Sequence, residues 1–425
     1  MTALIGLDVG TTGCKAVVFD EAGALLASAS REYPVELPQP TWAEQDIEAV
    51  WDLALTSIGE AVAAAGVREA AAIGLSVHGE AVTPVDAALR PLRPTILGMD
   101  TRTDEQNAWL RERFGAQALF ERTGMPVHTI NTLPKLLWIR EHEPEVWAAA
   151  DRFLLVEDFL IARMTGRPVI SACLASRTQL FDLEGGDWSS EILDALGLSA
   201  ERLAEVAPSG TLVGRLTDAL TERLGLRAAP GVVTGGHDQA CGALGVGLTK
   251  PGLAMVSTGT AEVVEVALGS AVVSAPLYEG NISVYRATVP GLFLAMTLNH
   301  SGGLALRWFR DGFCEPQLAR AIEQGDDAYD VILEGAAADP SGLLVLPHFA
   351  GAGTPTFDTS SRGAILGLTF STTRTDLAKA ILEGLTYELR LNLDLLRVGG
   401  VGIDVIRAIG GGARSKLWLQ LKADI

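Results

Sequence analysis

The stretch Asp8-Val9-Gly10-Thr11-Thr12-Gly13-Cys14-Lys15 decides the fold prediction, because it places a glycine-rich turn between two apolar runs. Leu4–Val9 precedes the turn and Lys15–Asp20 follows it, and a second turn at Glu21–Gly23 leads into Ala24–Arg31. Strands joined by such short turns form an antiparallel meander. The glycine turn can also direct backbone N–H groups and threonine hydroxyls at an anion. An ordinary hairpin with a glycine-rich turn is the alternative.

A shorter copy of this pattern recurs in the second half of the chain. Gly252–Ser257 is apolar, Thr258-Gly259-Thr260 is a turn, and Ala261–Ala267 again resembles a strand. Each copy opens a region in which helix-like and strand-like segments alternate, which predicts an α/β fold. In the first region Asp46 is a candidate N-cap for a helix that buries Ile47, Val50, Leu53, Ala54 and Ile58, and further helices are expected near 104–115, near 134–149 and from about Ala240. The repeat and the length of 425 residues predict two domains, residues 1–245 and 246–425.

Composition excludes several classes of function. The formal net charge of −19 disfavours nucleic acid and anionic membranes as partners. No apolar run approaches the ~18 residues that a membrane-spanning helix needs. The opening MTALIGLDVG has no basic segment or cleavage site of a signal peptide, so we expect a cytoplasmic protein. The four cysteines are far apart and form no C-x-x-C pair, which argues against disulfides and a zinc site.

Two further stretches could carry chemistry. In Val232–Ala240 (VVTGGHDQA) a buried strand runs through two glycines to Asp238, which is suited to act as a general base on a substrate hydroxyl. Capping of the following helix is the alternative role for Asp238. In Val405–Ala413 a strand opens into three glycines, where the backbone could approach a ring or a phosphate closely. Neither a GxxxxGK[ST] nor a GxGxxG pattern occurs, so the commonest nucleotide-binding folds lose support.

In their order along the chain these stretches resemble the motifs of the FGGY carbohydrate kinases, members of the hexokinase–actin–chaperone ATPase superfamily. Asp8–Thr12 resembles the first phosphate loop of the family and Ser257–Thr260 the second. Gly235–Gln239 is similar to the catalytic G-G-H-D-Q segment, and Gly410–Ser415 to the adenosine motif. Further matches are KLLWI at 135–139, ASRT at 175–178 and GGLALRW at 302–308.

The resemblance implies two ribonuclease-H-like domains of the actin/hexokinase type that flank a central cleft. Residues 1–245 would then hold the sugar and the catalytic base Asp238, and residues 246–425 would hold ATP. Asp8 and Asp238 would position Mg²⁺, so the implied cofactors are ATP and Mg²⁺. The residues implied for ATP and phosphate binding are Gly10, Thr11, Thr12, Lys15, Gly259, Thr260, Gly411 and Gly412.

The implied sugar ligands, besides Asp238, are His78 and Gly79, from an M-H-G motif of xylulose kinases, and Asp100 and Arg102, from a D-x-R motif. The alternatives are a structural histidine and a surface ion pair. Glycerol kinases carry an Arg-Glu pair in the segment occupied by Ser76–Glu80, and this chain lacks it. We therefore expect phosphorylation of a pentulose such as D-xylulose. Erythritol, ribulose, gluconate and glycerol are the alternative substrates.

Two other functions remain as alternatives at this stage. One is an ATP-driven interaction protein like the chaperone or filament members of the superfamily, and the other is an inactive relative that binds sugar or nucleotide. The expected partner is a small sugar, and a homodimer is left open. Ser415–Ile425 resembles a helix that stops without a polar tail. Because family members usually continue further, we expect the second domain to be truncated and the activity of this chain to be reduced.

Overall fold

The computed structural model describes residues 3–425, and their contacts divide the chain into two compact units. The first unit contains the residues up to Gly245 together with Val284–Phe293, and the second contains Val246–Ser283 and Leu294–Ile425. Each unit contains both helices and an open sheet, so the predicted α/β class is confirmed. Within the described residues, no helix has the length and hydrophobicity needed to cross a membrane.

Residues 3–245, the described part of the chain up to Gly245, contain fourteen strands and ten helices. The strands are β1 Ala3–Val9, β2 Gly13–Phe19, β3 Leu25–Glu32, β4 Glu44–Gln45, β5 Ala70–Val77, β6 Thr83–Val85, β7 Thr95–Ile96, β8 Arg152–Leu154, β9 Val169–Ser171, β10 Phe181–Asp182, β11 Asp187–Trp188, β12 Glu205–Ala207, β13 Leu212–Arg215 and β14 Gly231–His237. The helices are α1 Ile47–Ala65, α2 Asp104–Phe114, α3 Ala116–Thr123, α4 Thr132–His142, α5 Pro144–Ala149, α6 Val156–Thr165, α7 Ala172–Ala175, α8 Ser190–Leu196, α9 Asp218–Arg223 and α10 Asp238–Gly245, with a 3₁₀ turn at Ala200–Arg202.

The main sheet of the first unit has the strand order β13-β14-β5-β1-β2-β3. β1, β2 and β3 are antiparallel neighbours, which confirms the predicted meander. β5 lies between β1 and β14 and is parallel to both. The carboxyl ends of these three strands therefore meet at one edge of the sheet, as they do in α/β folds.

Helix α1 illustrates how local sequence fixes an element of this unit. The Asp46 side chain accepts hydrogen bonds from the N–H groups of Glu48 and Ala49, which confirms the predicted N-cap. Such a cap stabilises a helix by about 1 kcal/mol. The predicted apolar face is buried except at Leu53, which is only partly buried. Gly66 ends the helix with φ of 66°, a conformation that favours glycine.

The remainder of the chain contains seven strands and six helices. The strands are β15 Leu253–Thr258, β16 Glu262–Leu268, β17 Ser283–Arg286, β18 Phe293–Asn299, β19 Leu344–Leu346, β20 Ala364–Leu366 and β21 Val405–Ile409. The helices are α11 Ala275–Glu279, α12 Gly303–Phe313, α13 Glu315–Gln324, α14 Ala328–Leu333, α15 Arg374–Val398 and α16 Lys416–Asp424, with a 3₁₀ turn at Gly411–Arg414.

The second unit repeats the local topology of the first. β15 and β16 are antiparallel and joined by a short turn, as are β1 and β2. On its other side β15 pairs in parallel with β21, just as β1 pairs in parallel with β5. The internal repeat noted in the sequence therefore corresponds to the same arrangement of strands in both units.

Two predicted helix positions differ from the structure. The helix expected near 134–149 is two helices, because Pro144 begins α5 and cannot continue the hydrogen bonding of α4. The helix expected near Ala240 begins two residues earlier, at Asp238. This shift matters for the site, since it makes Asp238 the first residue of α10.

Candidate active site

Strand register brings the candidate residues of the first unit together. Val77 at the end of β5 pairs with Val9 on one side and with His237 on the other. Asp8 lies one residue before Val9, and Asp238 follows directly after His237. Asp8 and Asp238, which are 230 positions apart in sequence, therefore both lie at the carboxyl edge of the sheet, on either side of β5.

The carboxylate of Asp238 contacts its two neighbours in sequence and has a shifted pKa. Its Oδ1 accepts a hydrogen bond of 2.6 Å from the N–H of Gln239 and lies 3.3 Å from His237 Nε2. Burial, together with the charges of Asp8 and Glu80, raises the pKa of Asp238 to about 6 against the lowering effects of the Gln239 N–H and of Arg177. A capping carboxylate would bind the N–H groups two or three residues ahead. The contact with Gln239 alone does not support the helix-cap alternative.

A cavity of about 570 Å³ opens beside Asp8. Ser76 Oγ donates a 2.6 Å hydrogen bond to Asp8 Oδ1, which fixes the carboxylate on β1. Lys15 pairs with Asp8 in the β1–β2 register and also lines this cavity. Within residues 3–425 no group of three or more His, Cys, Asp or Glu residues could hold a metal ion by itself.

The first glycine turn presents N–H groups outward because its carbonyl oxygens are already bonded. Tyr33 Oη donates to the carbonyl of Gly10 at 2.7 Å, and Gln45 Nε2 donates to that of Thr11 at 2.9 Å. The N–H of Tyr33 donates to the carbonyl of Thr12. In a trans peptide the N–H points opposite to the C=O. The N–H groups that follow these three carbonyls therefore face away from the protein donors and can bind an anion.

His78 and Gly79 lie against the segment that carries Asp238. A Cβ atom on Gly79 would approach His237 Cδ2 to 2.9 Å, so only glycine fits here. Burial lowers the pKa of His78 to about 4 and that of His237 well below its usual range, so both rings are neutral near pH 7. His78 Nε2 is buried without a hydrogen-bond partner among the described residues. An unpaired buried nitrogen costs stability unless a ligand satisfies it.

The acidic residue after Gly79 belongs to the same group. Glu80 is buried and accepts a 2.6 Å hydrogen bond from Arg177 Nε. Its own carbonyl oxygen accepts from the buried Lys135 Nζ at 3.1 Å. Arg177 lies in the ASRT stretch and Lys135 in the KLLWI stretch, which the sequence associated with the family without assigning them a role.

Asp100 and Arg102 form an ion pair that is buried, so the alternative of a surface ion pair is wrong. Both Asp100 oxygens accept from Arg102, and Oδ2 also accepts from the N–H of Ala43 at 2.6 Å. The Arg102 guanidinium also binds Glu44 and lies 3.8 Å from the ring centre of Trp42. Asp100 is fully buried. The structure thus shows Asp100 and Arg102 binding each other, and their predicted contact with a sugar stays a prediction.

The second unit holds its own glycine turn in the same manner as the first. The N–H of Gly303 donates to the carbonyl of Gly259 at 2.7 Å, and that of Gly302 donates to the carbonyl of Thr260 at 2.9 Å. A Cβ atom on Gly302 would lie 2.5 Å from the carbonyl oxygen of Ala261, so the two glycines of GGLALRW permit this close approach. The N–H groups that follow the two bonded carbonyls again face outward.

A pocket of about 500 Å³ in the second unit brings together the four residues predicted there for nucleotide binding, Gly259, Thr260, Gly411 and Gly412. No individual role was assigned from the sequence to the remaining lining residues, which are Thr258, Gly303, Leu306, Arg307, Asp327, Tyr329, Asp330, Leu333, Arg414, Ser415 and Trp418. Six of them lie within the family matches found in the sequence: three in GGLALRW, one in Ser257–Thr260 and two in Gly410–Ser415.

Both halves of the chain match one protein family. The N-terminal domain of the FGGY family of carbohydrate kinases matches residues 3–245, and its C-terminal domain matches residues 254–425. The chain belongs to the FGGY family of carbohydrate kinases. The kinase is 31% identical over 427 residues to a xylulose kinase of Staphylococcus epidermidis, a match that covers 99% of this chain and 82% of that protein.

Two further relatives of the kinase differ in name, one being a gluconokinase and the other a xylulose kinase. A gluconokinase of Bacillus subtilis is 28% identical over 428 residues, covering 99% of the kinase and 82% of the relative. The crystal structure of a xylulose kinase from Rhodospirillum rubrum superposes with a TM-score of 0.89 at 28% identity, over 99% of the kinase and 84% of that chain. The fold and the carbohydrate kinase activity are therefore shown, and kinases of this family use ATP.

Proposed function

We propose that this kinase transfers the γ-phosphoryl group of MgATP to a hydroxyl of an open-chain sugar, with Asp238 as the general base. The observation that carries the proposal is the setting of Asp238, whose carboxylate lies at the strand edge near Asp8 with a pKa of about 6. Such a carboxylate is deprotonated at neutral pH and still basic enough to assist proton removal.

The reaction assigns each group a simple task. Asp238 accepts the proton of the acceptor hydroxyl, whose oxygen bonds to the γ-phosphorus while the bond to the β–γ bridging oxygen breaks and ADP leaves. Phosphoryl transfer depends mainly on alignment and charge stabilisation. The neutral rings of His78 and His237 suit a site that must bind hydroxyls and add no charge near the base.

The first unit also supplies groups that fit magnesium. Mg²⁺ prefers oxygen ligands and is commonly bound by one or two carboxylates together with substrate phosphates and water. Asp8 and Asp238 provide two carboxylates close enough for the charge of one to raise the pKa of the other. The bound ion would neutralise phosphate charge as it develops during transfer. We assign Asp8 the main role in holding it, and Lys15 adds positive charge on the neighbouring strand.

Phosphate and nucleotide binding are assigned to the glycine-containing segments. In the first unit, the outward N–H groups around Thr11 and Thr12 suit phosphate oxygens. In the second unit, the pocket lined by Gly259, Thr260, Gly411 and Gly412 suits the nucleotide, with the aromatic ring of Tyr329 among its walls.

We propose D-xylulose as the acceptor. The support is the name of the Staphylococcus epidermidis relative and the buried His78 Nε2, whose unused hydrogen-bonding capacity suits a sugar hydroxyl. D-gluconate is the second candidate because of the gluconokinase relative.

An ADP-release assay tests the proposal. The kinase is assayed with MgATP and D-xylulose, D-gluconate or glycerol, and the Asp238→Asn variant is assayed with the best acceptor. We expect D-xylulose to give the highest rate and Asp238→Asn to lower kcat by about 10²–10⁴-fold. Asp20→Asn, in the β2–β3 turn, is the control and should keep full activity. Normal turnover by Asp238→Asn would refute the role of Asp238 as the base.

A further inference from the structure

Strand β14 contains a bulge directly before the catalytic segment. Val233 pairs with Gly74 and Gly236 pairs with Ser76, so the two residues Thr234 and Gly235 lie opposite the single residue Leu75. A Cβ atom on Gly235 would lie 1.5 Å from the carbonyl oxygen of Leu75, so no other residue fits this backbone. Bulges of this kind interrupt the hydrogen bonds of the sheet and redirect the side chains that follow them.

The carboxylate of Glu157 binds the backbone at this bulge. Its Oε1 accepts the N–H of Gly235 at 2.6 Å, and its Oε2 accepts the N–H of Ser171 at 2.8 Å. Glu157 is fully buried in the first turn of α6. A single side chain thus connects the bulge of β14 to the end of β9, and it satisfies an N–H that the neighbouring strand cannot.

We infer that Glu157 is a positioning residue for Asp238, an inference that rests on the role proposed above for Asp238 as the base. Gly235 lies three residues before Asp238, so the position of its peptide sets where the strand ends and α10 begins. The next residue, Gly236, is confined as well, since a Cβ atom there would lie 2.6 Å from Thr288 and 3.0 Å from Cys173 Sγ. With both glycines held, the base has a fixed position relative to Asp8.

The neighbouring residue Asp158 provides a matched control. It is buried in the same turn of α6, and burial raises its pKa well above the usual range, as burial also raises that of Glu157. Hydrogen bonds connect Glu157, but not Asp158, to Gly235 within the described residues. Replacing either acid by its amide changes the same kind of buried group, and only one replacement disturbs the bulge.

The experiment compares Glu157→Gln, Asp158→Asn and Asp238→Asn in the full chain. In Glu157→Gln an NH₂ group replaces one of the two acceptor oxygens and faces a backbone N–H donor. One of the two hydrogen bonds is therefore lost. We expect faster amide hydrogen exchange in a peptide covering residues 233–237. We also expect kcat with the best acceptor of the panel to fall about 10–100-fold, with the KM for ATP within about twofold, because a small misplacement of a base affects chemistry more than binding.

Asp158→Asn should change neither the exchange of residues 233–237 nor kcat. The inference is overturned if Glu157→Gln leaves that exchange unchanged, or if its kcat equals that of Asp158→Asn. If Glu157→Gln lowers the overall stability, amide exchange also rises elsewhere in the sheet. Exchange in those other strands therefore distinguishes a general loss of stability from a local effect at residues 233–237. If Asp238→Asn keeps normal kcat, the proposed base is wrong and the positioning role is lost with it. If Asp238→Asn is inactive and Glu157→Gln is fully active, only the positioning role is wrong.

Discussion

The charge of Asp8 raises the pKa of Asp238 from across strand β5. Asp8 on β1 and Gly236 on β14 both pair with Ser76, and β14 leads directly into Asp238 at the start of α10. The two carboxylates repel each other when both are ionised, which adds to the effect of burial on Asp238. This arrangement suits a base that must be deprotonated near neutral pH and a neighbour that can bind a cation.

The pH dependence of kcat/KM should show an acid limb with a midpoint near pH 6. A base is active only when deprotonated, and burial together with the charge of Asp8 raises the pKa of Asp238 to about 6. The rate should therefore fall about tenfold per pH unit below the midpoint and level off above it. The measurement is ADP release from pH 4.5 to 8 with MgATP and sugar both well below their KM values, so that the profile reports the free enzyme, with circular dichroism to show that the protein stays folded. A midpoint near 4, the ordinary value for an aspartate, would contradict the raised pKa of Asp238.

Asp8→Asn should change two properties together. Without the carboxylate of Asp8, the pKa of Asp238 falls towards its ordinary value, so the acid limb of kcat/KM should move to lower pH. The concentration of Mg²⁺ needed for half-maximal activity should rise, because one of the two carboxylates assigned to the ion is gone. Titration of Mg²⁺ at fixed ATP and a second pH profile measure the two effects. An unchanged Mg²⁺ requirement would contradict the assignment of Asp8, and Asp20→Asn controls for loss of any single negative charge.

Asp100→Asn should act on stability more than on sugar binding. Asp100 is buried with both oxygens bonded to Arg102, and loss of one partner in a buried ion pair typically costs about 3 kcal/mol. Urea unfolding should show this loss, whereas the KM for D-xylulose should stay within about threefold. Asp86→Asn breaks the exposed pair with Arg90 and should leave the urea midpoint unchanged. Unchanged stability with a large rise in KM would instead make Asp100 a sugar ligand.

Features set by local pattern were the ones that the sequence predicted well. The meander, the Asp46 cap and the strand Val405–Ile409 each follow from residues within a few positions of one another. The order of motifs was enough to identify the family, because the glycine turns and Asp238 must be spaced along the chain in a fixed way. The exposure of N–H groups by the first glycine turn could be inferred only from the structure, because it depends on Tyr33 and Gln45 donating to the carbonyl oxygens of the turn.

Features that depend on distant contacts could not be predicted. Glu157 and Gly235 are 78 positions apart, and nothing near Glu157 indicates that its carboxylate will bind a bulge in β14. The burial of Arg102 likewise depends on Trp42 and Trp138, which approach it from two separate segments. A short D-x-R motif gives no information about such neighbours, so a surface ion pair could not be excluded from the sequence.

Gly411 and Gly412 provide a test of the nucleotide pocket in the second unit, because the two neighbours differ in the space around them. A Cβ atom on Gly411 would meet nothing within 4 Å, whereas one on Gly412 would lie 2.8 Å from the Thr258 side chain and 2.9 Å from Trp418. Gly411→Ala should therefore keep the stability of the protein, and Gly412→Ala should lower it through overpacking, by about 1–3 kcal/mol.

The two variants should also differ in how they affect catalysis. If ATP occupies the pocket, the methyl group of Gly411→Ala takes space that the nucleotide needs, so the KM for ATP should rise several-fold while the KM for the sugar stays the same. Steady-state kinetics with each substrate varied, together with urea unfolding of both variants, measures these effects. A Gly411→Ala variant with unchanged KM for ATP would place the nucleotide away from this turn, and the role assigned to Gly411 and Gly412 would be wrong.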